Sequence, residues 1–270
     1  MTGTLTYTYA AVARDTDGTL TEALSELSGV SDAPVRLVRA REVRDVAVAV
    51  SPVPERDFQE AALQVHLEDL DWLESIARSH HHVIEALAAR TTVLPLRLAT
   101  VYLDDERVRV MLRAHHEAFD LRLTDLAAQV EWGIKLYVET AASSESPADA
   151  DAVSGLSPGR AYLDQRRAQR HAREEAYQDA ERAAERVQAA ARAHAVDRVQ
   201  HRPQQGELAR GPGENVVNDA YLVPLHQAEE FRADVVRVAD GIPGVRIEVT
   251  GPWPPYSFAA EVEPLKGAAP

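Results

Sequence analysis

The residues able to do chemistry are few, and the histidines come first: His80, His81 and His82 in a row, then His115 and His116 further along the chain. Imidazoles serve as general bases and are the commonest metal ligands. Adjacent positions on a helix point about 100° apart, so three consecutive histidines cannot close on one ion. His81 and Glu85, four apart, have the spacing to share one. A metal centre, however, needs three or four converging ligands and a supporting shell around them. The pattern therefore predicts His80 against a core, His81 and His82 toward the surface, and neither a metal nor a cofactor.

Gly155-Leu156-Ser157-Pro158-Gly159 has the G-x-S-x-G form of a nucleophile elbow. An elbow needs a strand before the serine and a donating N–H just after it to hold an oxyanion. Pro158 has no N–H, and the stretch before the motif is small and acidic. Ser157 and Pro158 are expected instead to be the cap and first position of a helix. Gly211-Pro212-Gly213-Glu214 shares the opening of a dinucleotide fingerprint but has no third glycine and no flanking strand and helix, so it reads as a turn; no P-loop sequence is present. The chain has no cysteine, which excludes disulfides, thiolate metal sites and cysteine nucleophiles. No catalytic residue is assigned. Arg97 stands in the apolar run Thr92-Val-Leu-Pro-Leu-Arg-Leu-Ala-Thr100, where neighbours would bury its stem and a carboxylate take its fork. That predicts a clamp inside the domain, with recognition of a partner as the alternative.

The elements that must position these groups follow from periodicity. Residues 5–13 read as a strand, 19–27 as a helix, 35–40 and 43–50 as a strand pair, and 57–90 as one long amphipathic helix with Val65, Trp72, Leu73, Ile76, His80, Val83, Ile84 and Leu87 inward. Residues 92–102 should be extended, 104–128 helical and 131–139 a strand. Strand, helix, two strands, helix, strand is the ferredoxin-like order. The expected fold class is α+β, in two domains: residues 1–130, a ferredoxin-like sandwich with an added helix, and residues 131–270, a second α+β domain. The second contains an acidic linker at 140–155 and a helical arm over 159–202, followed by strands at 216–224 and 245–250 around a helix at 228–239. At 1.5 Å per residue the arm would reach about 65 Å, more than a domain of this size needs to cover itself. Its stripe, Ala172, Ala176, Ala180, Ala183, Val187, Ala190 and His194, is small and would make a weak seam, so the arm either folds back on its own domain or reaches a partner. The closing run GPWPPYSF stiffens the chain through three prolines and displays Trp253 and Tyr256, either packed over a sheet edge or offered to a ligand.

Composition bounds the rest. With 270 residues, 45% hydrophobic and 27% charged, the chain is that of an ordinary globular protein, and the net charge of −14 speaks against a nucleic-acid partner. The arm holds ten arginines against seven acidic residues, so it is basic on an acidic body. No apolar run reaches the 18 or so residues of a membrane span, the N-terminus lacks the pattern of a signal peptide, and the absence of cysteine fits a reducing compartment.

With these stretches laid out, the chain resembles the GvpF/GvpL family of gas vesicle proteins along nearly its whole length. The likeness is carried by Tyr7-Thr-Tyr-Ala10, Trp72-Leu73, the run from His80 to Ile84, Val93-Leu-Pro-Leu-Arg-Leu-Ala-Thr100, Glu131-Trp-Gly-Ile-Lys135, Gly159-Arg-Ala-Tyr-Leu163 with Arg166, Tyr221-Leu-Val223 and Gly251-Pro-Trp-Pro-Pro-Tyr-Ser-Phe258. The resemblance implies a cytoplasmic, gas-vesicle-associated accessory protein and not an enzyme. It implies a role in assembly or nucleation of the vesicle shell, with the small hydrophobic shell protein and other gas vesicle accessory proteins as partners. The family motifs mark Arg97, Trp132, Arg160, Tyr162, Trp253 and Tyr256 as partner-binding candidates, positions that equally suit a purely structural role. A general chaperone or scaffold is the alternative, ahead of a metal-dependent enzyme.

Overall fold

A computed structural model describes residues 3–13, 19–25, 27–43, 45–139, 158–204, 213–239 and 242–259. The expected linker at 140–155, the cap at Ser157 and the Gly211-Pro212 turn fall outside these residues. The chain divides into two compact units, residues 1–130 with 253–270, and residues 131–252. A single boundary at 130/131 therefore leaves out the return of the chain from Trp253 onward to the first unit.

In the first unit, β1 (Thr4–Ala13) alternates Thr, Tyr and Ala, and nearly every position is buried because both faces of the sheet are covered. It lies between β3 (Val46–Pro54) on one side and β4 (Val93–Pro95) with β5 (Val101–Tyr102) on the other; β2 (Arg36–Val38) completes the sheet outside β3. All these pairings are antiparallel, and the order β2-β3-β1-β4 is the ferredoxin-like one. One face packs on α1 (Thr19–Ser25) and α4 (Leu70–Ala88), through a core that includes Tyr7, Tyr9, Leu24, Phe58, Ile84 and Leu87. Against the other lies α5 (Asp105–Asp125), which buries Val108, Met111, Leu112, Phe119 and Leu123. Its N-terminus is capped by Asp104, which accepts from the Arg107 N–H at 2.9 Å. Asp105 follows, holding the Arg36 guanidinium in a two-point pair at 2.7 and 2.8 Å and accepting from the Thr6 hydroxyl at 3.1 Å.

The continuous helix expected over 57–90 is instead three: α2 (Glu55–Phe58), α3 (Glu60–His66) and α4. Gln59 and Asp69 are extended, and the Asp69 carboxylate accepts from the N–H groups of Asp71 and Trp72 at 3.1 and 3.2 Å, restarting the helix with a fresh cap. The break swings α3 out of register, so Val65, expected inward, is 69% exposed. From Ile76 on, α4 follows the expected face, with His80, Val83, Ile84 and Leu87 buried.

The second unit carries a four-stranded sheet in the order β7-β8-β6-β9, from β6 (Gln129–Val138), β7 (Asp197–Gln200), β8 (Glu214–Pro224) and β9 (Val245–Trp253). The helical arm, α6 (Pro158–Arg192), stops ten residues short of its expected end at Arg202, because residues 197–200 leave it to pair antiparallel with β8. That strand is anchored where Arg198 meets the buried Asp219 carboxylate at 2.8 Å, with the Tyr221 hydroxyl on the same oxygen at 3.2 Å. The alanine stripe has two fates. Ala180, Ala183 and Val187 are buried, the first two against Leu136 and Val138; next along, Ala191 is buried where Ala190 was expected, Ala190 being half-buried, and the arm also packs along α7 (Ala228–Ala239). Ala172 and its neighbours from Arg166 to Glu175 are exposed.

This seating gives a direct contrast. An A183E substitution puts an unpaired carboxylate at a fully buried position and should cost about 3 kcal/mol or more. A172E, on the exposed part of the same stripe, should change stability by about 0.5 kcal/mol or less. Thermal unfolding of the two variants checks this, and equal losses would mean that the stripe is not seated as described.

Candidate functional site

Strand periodicity puts Tyr7 and Tyr9 on one face of β1, toward α4, their ring centroids 4.9 Å apart. His80, from the buried face of α4, stacks on Tyr9 at 5.6 Å and meets Tyr7 edge-on at 5.7 Å. Their polar atoms form a connected set. The Ala99 N–H donates to the Tyr7 hydroxyl at 3.1 Å, and that hydroxyl donates to Nδ1 of His80 at 3.0 Å. The remaining ring N–H of His80 bonds the backbone of Leu96. Beside it, the Val30 N–H donates to the Tyr9 hydroxyl at 2.7 Å, which pairs with Ser51 Oγ at 2.7 Å. Burial pushes both phenols up, so they stay protonated, and burial lowers His80 to about 4, a drop that the Leu96 hydrogen bond opposes and the neighbouring His81 reinforces. His80 is thus a neutral structural imidazole, tied to phenols and backbone and not to a carboxylate.

What this network holds is the turn between β4 and β5. The Leu96 N–H donates to the Tyr9 carbonyl at 2.8 Å, the Thr8 N–H to the Thr100 carbonyl at 3.0 Å, and the Thr100 hydroxyl to the Arg97 carbonyl at 2.7 Å. Ala99 sits at φ 60°, a left-handed conformation that costs a residue with a Cβ about 1 kcal/mol. The segment therefore turns instead of running extended, and its tip, Arg97 and Leu98, points outward. Beneath the tip is a groove of about 340 Å³ lined by Ala77, His81, Leu94, Leu96, Leu98 and Tyr256, with Arg97 on its rim.

One wall comes from the end of the chain. The Tyr256 hydroxyl is hydrogen-bonded to Nδ1 of His81 at 2.8 Å, Trp253 meets the same imidazole edge-on at 5.6 Å, and Arg122 of α5 donates to the Phe258 carbonyl. Nε2 of His81 faces the Glu85 carboxylate at 3.4 Å. Carboxylate, imidazole and hydroxyl in line have the order of a nucleophile relay. Here, however, the Glu85 side chain is half exposed and its contact is long, so the set latches the terminal segment onto α4. Among the described residues no three His, Asp or Glu side chains gather closely enough to hold a metal ion.

The partner-binding candidates divide accordingly. Arg97 and Tyr256 line one groove, and Trp253 adjoins it through His81. Arg97 is exposed, and among the described residues no carboxylate lies within ion-pairing reach of it to make the expected internal clamp. The turn at Ala99 is the reason. Trp132 is 2% exposed and packs on Phe231 at 6.0 Å, in the core of the second unit. Gly251 lies against that indole at φ 132°, where a Cβ would stand 2.8 Å from the Glu131 carbonyl and 3.1 Å from the ring. Arg160 and Tyr162 fall in the first turns of α6, their side chains outside the described ones. Sequence reasoning missed Leu98, Ala99 and the pairing of His81 with Tyr256. The alternation Tyr7-x-Tyr9, with a histidine on the inward stripe of a helix, was the available signal for the buried network.

The unfolded chain takes up a proton at His80 below pH about 6.5, whereas the folded protein resists until pH about 4. Stability should therefore fall as pH drops from 6.5 toward 4, with a slope of at most about 1.4 kcal/mol per pH unit from this group. In H80Q that slope should flatten in denaturant titrations across the window, and an unchanged slope would remove His80 as its source. Y7F, which strands the Ala99 N–H and the His80 Nδ1, should cost about 1–3 kcal/mol at pH 7.

Comparison with known proteins sets the site in context. The profile of a family described as gas vesicle synthesis protein GvpL/GvpF matches residues 5–260. Gas vesicle protein L of a Streptomyces strain is 41% identical over 264 residues, covering 97% of this chain and 95% of its own. Gas vesicle protein F of the same strain is 28% identical over 94% of this chain and 98% of its own. Among solved structures, the gas vesicle protein GvpF from Anabaena sp. aligns with a TM-score of 0.66 at 18% identity, over 95% of this chain and 96% of that one, a likeness of fold. The family profile runs through both units and the Streptomyces relative matches over nearly the whole length of both chains: the chain belongs to the GvpL/GvpF family of gas vesicle synthesis proteins.

Proposed function

We propose that this protein assists assembly or nucleation of the gas vesicle shell by binding the small hydrophobic shell protein before it enters the wall. The observation that carries the reading is the family match over residues 5–260, which takes in both units and all the elements around the groove. A subunit of a gas-tight wall must present apolar surface and pair strand to strand, and before assembly it is an aggregation hazard. A partner suited to hold it needs apolar surface of its own on a body that stays dissolved. The net charge of −14 supplies the second property, and the groove under Arg97, with exposed Leu98 and Trp253 near it, supplies the first. Among the described residues no helix is long and apolar enough to cross a membrane, which fits a binding role away from the bilayer.

Co-expression with the small shell protein, followed by size-exclusion chromatography of the soluble fraction, tests the reading. A defined complex that keeps the shell protein dissolved is the expected result. Precipitation of the shell protein while this chain elutes alone removes direct binding. Equal capture of an unrelated unfolded client marks a general chaperone instead.

A further inference from the structure

We infer that the groove beneath Arg97 is where the shell protein docks, taking from it a segment in which an apolar side chain stands beside a carboxylate; the inference rests on the shell-binding reading above. The apolar side chain enters the cavity, and the carboxylate takes the Arg97 guanidinium.

Three observations lead there. First, the turn at residues 96–100 is held in a strained shape, with Ala99 at φ 60° fixed from below by the buried Tyr7 and His80. Strain over-determined in this way marks a segment whose shape is used, and what this shape accomplishes is the outward display of Arg97 and Leu98. Second, the cavity of about 340 Å³ lies at the low end of the range for ligand pockets, about 300–1,000 Å³, with room for one or two large apolar side chains. Third, Arg97 is the only Asp, Glu, Lys or Arg among the groove's described lining residues, and no described carboxylate pairs with it. A planar fork at an apolar rim selects a carboxylate, which it can hold at two points.

The sheet edge beside the groove decides the mode of docking. β4 is three residues long and ends in Pro95, which has no N–H to offer. An added strand would find little to pair with, so the partner segment is held by its side chains, from a helix or a turn.

The test uses the full chain co-expressed with the small shell protein, as wild type, R97E, R97K and L98D, each checked for an unchanged melting temperature. R97E and L98D should lower the co-eluting shell protein by about tenfold or more, and R97K, a point charge without the fork, by less. Reversing one acidic residue of the shell protein to Arg should restore binding to R97E. Wild-type recovery with folded R97E and L98D overturns the groove while leaving the shell-binding reading standing. No complex with the wild type overturns both. A wild-type dimer that R97E converts to monomer assigns the groove to a second copy of this chain and overturns the inference as well.

Discussion

The first unit depends on one buried contact, the hydrogen bond between the Tyr7 hydroxyl and His80. A phenol and an imidazole at the centre of an apolar layer would each be costly alone, because a buried polar atom without a partner keeps its full desolvation penalty. Together they satisfy one another and leave one group each for the backbone, at Ala99 and Leu96. The same two side chains thereby tie the central strand, the long helix and the β4–β5 turn into one body. Because Tyr7 resists ionisation and His80 resists protonation, the bond keeps its donor and acceptor through the neutral range.

The opposite face of β1 solves a different problem with charge. Thr6 and Arg36 converge on Asp105 at the start of α5. Burial works against that carboxylate, but the paired guanidinium and the hydroxyl outweigh it and hold its pKa below the ordinary value. An acidic residue in the first turn of a helix is also favoured by the helix dipole. One strand is thus locked to helices on both sides by networks of unlike chemistry, and the turn that carries Arg97 emerges from a scaffold with little freedom.

Where a local pattern and the tertiary environment agreed, the fold was legible in the residues. The strand at Thr4–Ala13, the helix at Ala228–Ala239 and the inward set from Ile76 to Leu87 are of this kind, as is the ferredoxin-like order, and with it the α+β class. Legibility failed where a short-range competitor intervened. Asp69 caps a new helix inside an amphipathic pattern that does not register the break, and residues 197–200 carry a polarity that suits a helix until Asp219 offers Arg198 a buried partner. The groove was half legible. Arg97, Trp253 and Tyr256 stood out by type, but what joins two of them to α4 is His81, which meets Tyr256 across 175 positions, and no local pattern encodes such a meeting.

That long separation bears on the order in which the molecule is completed. A chain growing from its N-terminus has the strands and helices of the first sheet in hand at residue 130, yet the segment that covers His81 begins at residue 253. Domains fold largely as units during synthesis, earlier ones first. Throughout the making of the second unit, the nascent first unit stands with one wall missing, and Tyr256 arrives only after that unit has been made. The groove is thus a late-maturing surface, completed only once the chain has passed through the second unit and returned to the first.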